Sequence, residues 1–413
     1  MFERVLSAER PVVERVALLS MGVYLFALNL PHVVTLREAA FFGAIALAAA
    51  AMARRGRIEG PPMKALLALW VGLALVSMAA AADPWHSLSE IKKEIIYPVL
   101  AFWLFYVMTR SRDDFALLAY FILAASAIVI SLSLYYYFVL GVRFEQVVKA
   151  GFLYGKRPYF SFHMLATALV CLALAMRPRT ARAPGALLLA LVPVVLLGVY
   201  FARLRAGYVA TLAAGGLFLV YTNVVRRGLK RKLAVLACLL FIALPLPAIM
   251  ARRNLDLTLD PNMIKVSLDS LKKEERWAIW RNSVERIMER PLLGSGFGNK
   301  EIFIPGFRRE RIYPHNLLLS YGVATGVAGM ALVAVIFGRL YVLLHSRVMS
   351  FHGVERSCYG ISLAGAMLLV VFVILNMTED VMTRHSGQFF WALMGMTLGS
   401  CRGADPGDGP ADT

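Results

Sequence analysis

Three groups of residues carry side chains suited to handling an anion and a proton. His315 and Asn316 stand where a charged stretch ends and an apolar one begins. Histidine is the side chain that exchanges a proton near neutral pH, so His315 is the candidate base. From position alone, a helix-mouth histidine bonded to a neighbouring loop is the commoner arrangement. The second group is Arg203-Leu204-Arg205, in a connector so short that both guanidinium groups must lie at the edge of the apolar runs on either side. An arginine there is costly unless it snorkels or meets an anion, and a guanidinium matches phosphate bidentately. The third is Arg276-Trp277-Ala278-Ile279-Trp280, followed by Pro291 and by Gly294, Gly296 and Gly298. Those glycines would let backbone amides approach a phosphate or a sugar. No strand precedes them, so they are not a dinucleotide fingerprint.

Further along, Glu379, Asp380, Arg384 and His385 form a short polar turn. They can pair with the arginines, orient a base, or simply be solvated. The first outer loops hold Glu38, Asp83 and Glu90 but no adjacent pair of carboxylates, which favours metal-free chemistry and no cofactor. Cys171, Cys238, Cys358 and Cys401 lie within or at the ends of apolar runs without ligand spacing, so they read as small apolar fillers, neither disulfides nor zinc ligands. His163 reads as a structural histidine, and His86, His345 and His352 as ordinary loop residues.

The elements that hold these groups are membrane spans. The chain has 413 residues, 59% of them hydrophobic, and a mean hydropathy of +0.65. A bilayer core takes about 20 apolar residues per helix. Twelve candidate spans follow, approximately 14–31, 37–53, 64–82, 94–109, 115–140, 159–176, 185–202, 206–224, 233–250, 315–338, 357–377 and 381–401. Helix is required because lipid leaves no free backbone satisfied, and the hydropathy is continuous rather than alternating. The fold class is therefore an all-α polytopic membrane protein. Residues 1–402 form one transmembrane unit with the long charged loop 251–314 inserted between spans nine and ten, and 403–413 form a disordered tail.

The net charge of +18 would suggest nucleic acid in a soluble protein. Here much of the excess lies in short inter-span loops, where topology and anionic membrane lipid account for it, so no nucleic-acid partner is expected. The lysines and arginines favour both termini inside and the long loop outside. Basic residues at 143–157, including Lys156 and Arg157, and the Arg203–Arg205 turn run against that trend. They point to function. Within the loop, Ser270 to Arg290 predicts a helix with Trp277, Trp280, Val284 and Ile287 on one apolar stripe.

The pattern Arg276-x-x-x-Trp280, Pro291-x-x-Gly294-x-Gly296-x-Gly298 and Pro314-His315-Asn316, with Gly322 and Gly326 following, resembles the O-antigen ligase and polymerase (WaaL/Wzy) superfamily of lipid-linked glycan transferases. Arg203-Leu204-Arg205-Ala206-Gly207 resembles that family's arginine-glycine motif, with Leu and Ala where Ser and Gly are usual. Lys156-Arg157-Pro158 resembles its basic segment, although Ser161-Phe162-His163 stands where an Asn-rich turn is usual. The resemblance spans roughly 150–400. It implies a twelve-span, GT-C-like fold in the bacterial inner membrane, a glycan donor on undecaprenyl pyrophosphate, and, for ligases, a sugar hydroxyl of lipid A–core as acceptor at the periplasmic face. It implies an inverting transfer.

On that resemblance, His315 is the candidate base and Arg205 and Arg276 neutralise the departing pyrophosphate. Arg203, Arg157, Lys156, Asn316, Trp280, Gly294, Gly296, Gly298, Glu379, Asp380 and Arg384 are candidates for binding substrate. The loop should act as a lid over a cavity floored by the Arg203–Arg205 turn. A polymerase or a protein O-oligosaccharyltransferase uses the same donor. A transporter for lipid-linked sugar is the reading from a different class, and the sequence shows neither the repeated halves nor the paired broken helices common in transporters.

Overall fold

The computed structural model describes residues 10–30, 32–56, 59–142, 157–177, 182–202, 204–224, 275–303, 311–352, 354–379, 381–382 and 384–402. The ninth span, the 403–413 tail, Cys238 and residues 251–274 and 304–310 of the long loop lie outside the described residues.

The described chain is helical. In order the helices are α1 (Val12–Leu28), α2 (Val34–Arg55), α3 (Lys64–Ser77), α4 (Pro84–Ile91), α5 (Tyr97–Met108), α6 (Arg112–Phe138), α7 (Arg157–Ala175), α8 (Arg182–Phe201), α9 (Arg205–Val224), α10 (Glu275–Glu289), α11 (Leu317–Ser350), α12 (Arg356–Asn376) and α13 (Arg384–Gly399). Ile302–Phe303 (β1) pairs antiparallel with Arg311–Ile312 (β2) inside the long loop, and these are the only strands among the described residues. Eleven of the twelve expected spans coincide with helices. Five of them, α2, α6, α7, α11 and α12, are long and apolar enough to cross a membrane.

Local chemistry sets the helix ends. Ser111 and Asp114 form a reciprocal capping box at the start of α6. Asp83 caps α4 by accepting from the His86 amide at 2.9 Å. Gly56 ends α2 in a left-handed conformation, as a helix C-terminus favours. A π-helical segment, Lys92–Ile96, joins α4 to α5. Such segments are rare and recur at functional sites.

The centre of the bundle is α13 lying along α5. It comes close because Gly395 and Gly399 face backbone there: a Cβ on Gly395 would sit 2.4 Å from the Phe102 carbonyl oxygen. Small residues let membrane helices approach in this way. Around that axis Phe372 stacks on Phe390 at 3.9 Å, and Trp391 and Trp70 are buried. His163 is buried, with Nδ1 2.8 Å from Asn29 Oδ1, which fits the structural role expected of it.

One end of the bundle is closed by ion pairs. Arg10 meets Asp114, Arg110 and Arg402 both meet Glu59, Arg112 meets Glu355, and Arg177 meets Asp113. The segments joined are those the charge pattern assigns to one side. At this end Cys358 and Cys401 form a disulfide with Cα atoms 5.8 Å apart, which corrects the reading of these cysteines as fillers. They are distant in sequence, but α12 and α13 form an antiparallel hairpin that brings its outer ends together. Cys171 remains a buried free thiol.

Candidate functional site

The opposite end, here termed the loop end, gathers the polar residues singled out by their spacing. α9 and α12 run antiparallel, and the Tyr359 hydroxyl donates to the Tyr221 carbonyl at 3.3 Å toward the disulfide end. Arg205, at the start of α9, therefore lies at the same end as Glu379, just past α12. Arg157, which begins α7, is there too, because His163 one and a half turns on is 3.4 Å from Ser386 in the first turn of α13.

Arg276 of α10 donates from its terminal guanidinium nitrogen to Glu379 Oε1 at 2.9 Å. The contact is half open to solvent, so its contribution to stability is about 0–1 kcal/mol. It fixes position: the first turn of the loop helix is held over the α12–α13 turn. Asn316 caps α11 by accepting from the Leu319 amide at 3.2 Å, and its side-chain amide donates to the Met377 carbonyl at 3.4 Å. Met377 is two residues before Glu379. The mouth of α11, which carries His315, and the arginine of the loop helix are thus tied to the same few residues. His315 itself has φ +51°, an uncommon conformation for a non-glycine residue that turns the chain between buried Pro314 and the Asn316 cap.

The three glycines do something different from what their spacing suggests. Their amides are engaged within the protein: Gly294 donates to the Arg290 carbonyl at 3.0 Å, Gly296 to Ala324 at 3.1 Å and Gly298 to Ser87 Oγ at 3.1 Å. The reason is a break in α11 at Gly326, where φ is +73° and ψ −173°. The break frees carbonyls one turn earlier and an amide after it. The Ser295 amide takes the Val323 carbonyl at 2.8 Å, Gly296 takes Ala324, and the Val327 amide donates to the Pro291 carbonyl at 2.8 Å. A broken membrane helix persists only when its freed backbone groups are satisfied in this way. Side chains would prevent the approach: a Cβ on Gly294 would lie 2.5 Å from the Ala324 carbonyl carbon, and one on Gly326 2.4 Å from the Pro291 oxygen.

The loop helix also differs from its expected register. α10 lies within the predicted 270–290 segment, but Trp277 and Val284 are exposed while Ile279, Ser283 and Ile287 are buried. Ile287 wins a buried place because Gly322 leaves room for it on α11. Trp280 packs with Ile279, Ile302 and Ile312 on the small hairpin. The exposed row of Trp277, Val284 and Met288 suits a helix whose outer face meets the membrane interface.

Two groups escaped the sequence reading. Lys300 pairs with Glu94 of the π segment, both side chains 8% exposed, and its ammonium sits 3.8 Å above the Phe297 ring. Only tertiary structure joins residues so far apart. Arg286 and Arg290 line a polar cleft of about 350 Å³ with Asn299 and Glu301, beside the glycine turn. Their i, i+4 spacing just before Pro291 was a signal available in the sequence. Of the other candidates, Lys156, Arg203 and Asp380 lie outside the described residues, and Arg384 opens α13.

Fold and site together define a polytopic helical membrane protein whose loop end concentrates arginines, a histidine and a carboxylate. Residues 153–334 match the family model described as O-antigen ligase. The matched stretch runs from the segment before α7, through the arginine turn and the glycine turn, to the far side of the α11 break. It supports a place in the O-antigen ligase and polymerase superfamily, with a glycosyltransferase-like function in O-antigen assembly on lipid-linked glycan, and does not separate ligase from polymerase. A search of curated proteins returned no match.

Proposed function

We propose that this protein is an O-antigen ligase of the bacterial inner membrane, with twelve spans in a GT-C-like arrangement, both termini cytoplasmic and the loop end in the periplasm. It transfers a glycan from undecaprenyl pyrophosphate to a sugar hydroxyl of lipid A–core. The observation that carries the reading is that Arg276 and the His315–Asn316 mouth of α11, both inside the stretch matched by the family model, converge on Glu379 and Met377 beyond it.

The acceptor hydroxyl oxygen attacks the anomeric carbon as the bond from that carbon to the pyrophosphate oxygen breaks, inverting the centre. His315 takes the hydroxyl proton, an assistance worth about 10²–10⁴-fold. Arg205 and Arg276 neutralise the charge that gathers on the leaving pyrophosphate, so the step needs no metal. Glu379 aims Arg276. Arg157 extends the basic lining, Lys156 and Arg203 remain candidates for holding pyrophosphate by their place in the sequence, and the Arg286–Arg290 cleft receives glycan hydroxyls. The glycine turn acts by seating the loop against the break in α11.

Deletion of the gene tests the reading against its neighbours. Ligase loss leaves full-length glycan on undecaprenyl pyrophosphate and bare lipid A–core. Polymerase loss leaves core bearing a single repeat unit, and transporter loss strands lipid-linked sugar on the cytoplasmic side. With purified protein, His315→Asn, Arg205→Ala and Arg276→Ala should each abolish detectable transfer, and a chelator should not. Asparagine is the better probe at 315 because it tolerates the left-handed backbone there. Normal turnover by His315→Asn removes the base, and a strict metal requirement undoes the arginine mechanism.

A further inference from the structure

A second basic site lies on the wall of the bundle at the loop end, apart from the residues given roles in transfer. It is a cleft of about 570 Å³ between the start of α2, the π segment and the start of α13. Its lining holds three cations, Arg37, Lys92 and Lys93, and one carboxylate, Glu38; Lys93 is paired with Glu90 at 2.9 Å just outside the lining, so the excess positive charge rests on Lys92. Arg37 is 7% exposed, a rare place for a guanidinium in the first turn of a membrane-crossing helix. Glu38 takes Nε and one terminal nitrogen through a single oxygen, at 3.3 and 2.9 Å. The other terminal nitrogen is turned to the His385 ring, 2.8 Å from Nδ1, and not to a second anion. Gln388, 4% exposed, is held by the Tyr24 hydroxyl at 3.1 Å. The polar groups at the back of the cleft are therefore fixed before any ligand arrives. Its mouth is apolar. Phe42, five residues further along α2 than Arg37, is 46% exposed and meets Tyr97 edge-on at 5.7 Å, and Val34 is 54% exposed.

We propose that this cleft binds the phosphate headgroup of an acidic phospholipid from the leaflet at the loop end. The depth fits. Arg37 lies at the interfacial end of α2, where a lipid phosphate sits, and Phe42 continues toward the hydrocarbon, where the first methylenes of an acyl chain would lie. A soluble anion would make no use of Phe42 and Val34. A neutral zwitterionic headgroup would set its own cation against Lys92 and Arg37. The inference is independent of the glycan-transfer reading, because it uses none of its residues.

The test uses the full-length protein in phosphatidylcholine nanodiscs doped with phosphatidylglycerol, with protein-retained lipid measured by mass spectrometry and the thermal midpoint by fluorescence. Phosphatidylglycerol should be retained over phosphatidylcholine and should raise the midpoint. Lys92→Glu, an exposed change that leaves the core intact, should lower retention by about fivefold or more, since one basic residue near an anionic surface is worth about that factor. Arg37→Gln should lower it further. Arg281→Glu, an exposed change on α10, should leave retention unaltered. Equal retention of the two phospholipids, an unchanged Lys92→Glu, or an equal loss in Arg281→Glu overturns the proposal. So does full stabilisation by inorganic phosphate, which would make this a free-anion site. Stronger retention of undecaprenyl phosphate would assign the cleft to the carrier lipid and overturn it equally.

Discussion

The Arg276 guanidinium donates to Glu379 Oε1 at 2.9 Å, joining the first turn of the loop helix to the turn after α12. The residues are 103 positions apart in sequence. The pair is open enough to water that its value is geometric. It holds one arginine of the loop beside the helix mouth that bears His315, so a flexible cation becomes an oriented one.

Glu379→Gln should therefore separate orientation from folding. The thermal midpoint should barely move, since exposed pairs contribute about 0–1 kcal/mol. Transfer should fall by about ten- to a hundredfold, less than for Arg276→Ala, because losing one aligned donor costs about 10²–10³-fold. Glycan transfer and thermal unfolding measured on the same preparation check this. A large stability loss with unchanged specific activity would reduce the pair to a structural tie.

The break in α11 predicts a coupled pair of glycines. Gly294→Ala and Gly326→Ala each place a methyl within van der Waals contact of backbone across the same joint, at positive φ. Each should cost more than about 1 kcal/mol. Because they damage one joint, the double variant should lose less than the sum. Detergent-solubilised thermal melts of the three variants measure it, and strict additivity would argue against a shared joint.

The buried Lys300–Glu94 pair should behave asymmetrically. Lys300→Met alone leaves a carboxylate buried in the π segment and should cost about 3–5 kcal/mol. Lys300→Met with Glu94→Leu removes both charges and should recover most of that loss. Recovery would also show that the loop stays seated without the ion pair, which limited proteolysis around residues 290–303 can read directly.

The Cys358–Cys401 disulfide should hold the ends of the α12–α13 hairpin. In the chain-entropy account, a cross-link between residues 43 apart is worth roughly 3–5 kcal/mol. Cys358→Ser should lower the thermal midpoint; because both sulfurs are buried, labelling is done on denatured protein, where Cys401 of the variant should take maleimide at once and wild type should need reductant first. Labelling of the unreduced protein at both positions would refute the bond.

Much of this molecule was legible in advance. The spans could be read because each must satisfy its own backbone in lipid, so a continuous apolar run already fixes helix and approximate length. Arg205 and His315 stand out because a charge or a proton-exchanging group at the edge of such a run is expensive, and Arg276 because it precedes two tryptophans and the glycine turn inside the charged loop. The glycines stood out as well, but their purpose did not. Gly294 and Gly326 are needed by one another across a joint that no local pattern encodes. The same holds for the face of α10. Periodicity offered Trp277 and Val284 as one stripe with Ile287, and the stripe split because Gly322 admits Ile287 to the interior while the tryptophan meets the surface.

Which described segments are helical can be read from the chain alone, because that follows from the local cost of leaving a backbone group unsatisfied in lipid. Packing in three dimensions sets who meets whom: Arg276 with Glu379, Asn316 with Met377, Lys300 with Glu94, Cys358 with Cys401. Those pairings depend on how helices far apart in the chain pack side by side, and one-dimensional spacing carries no record of that distance.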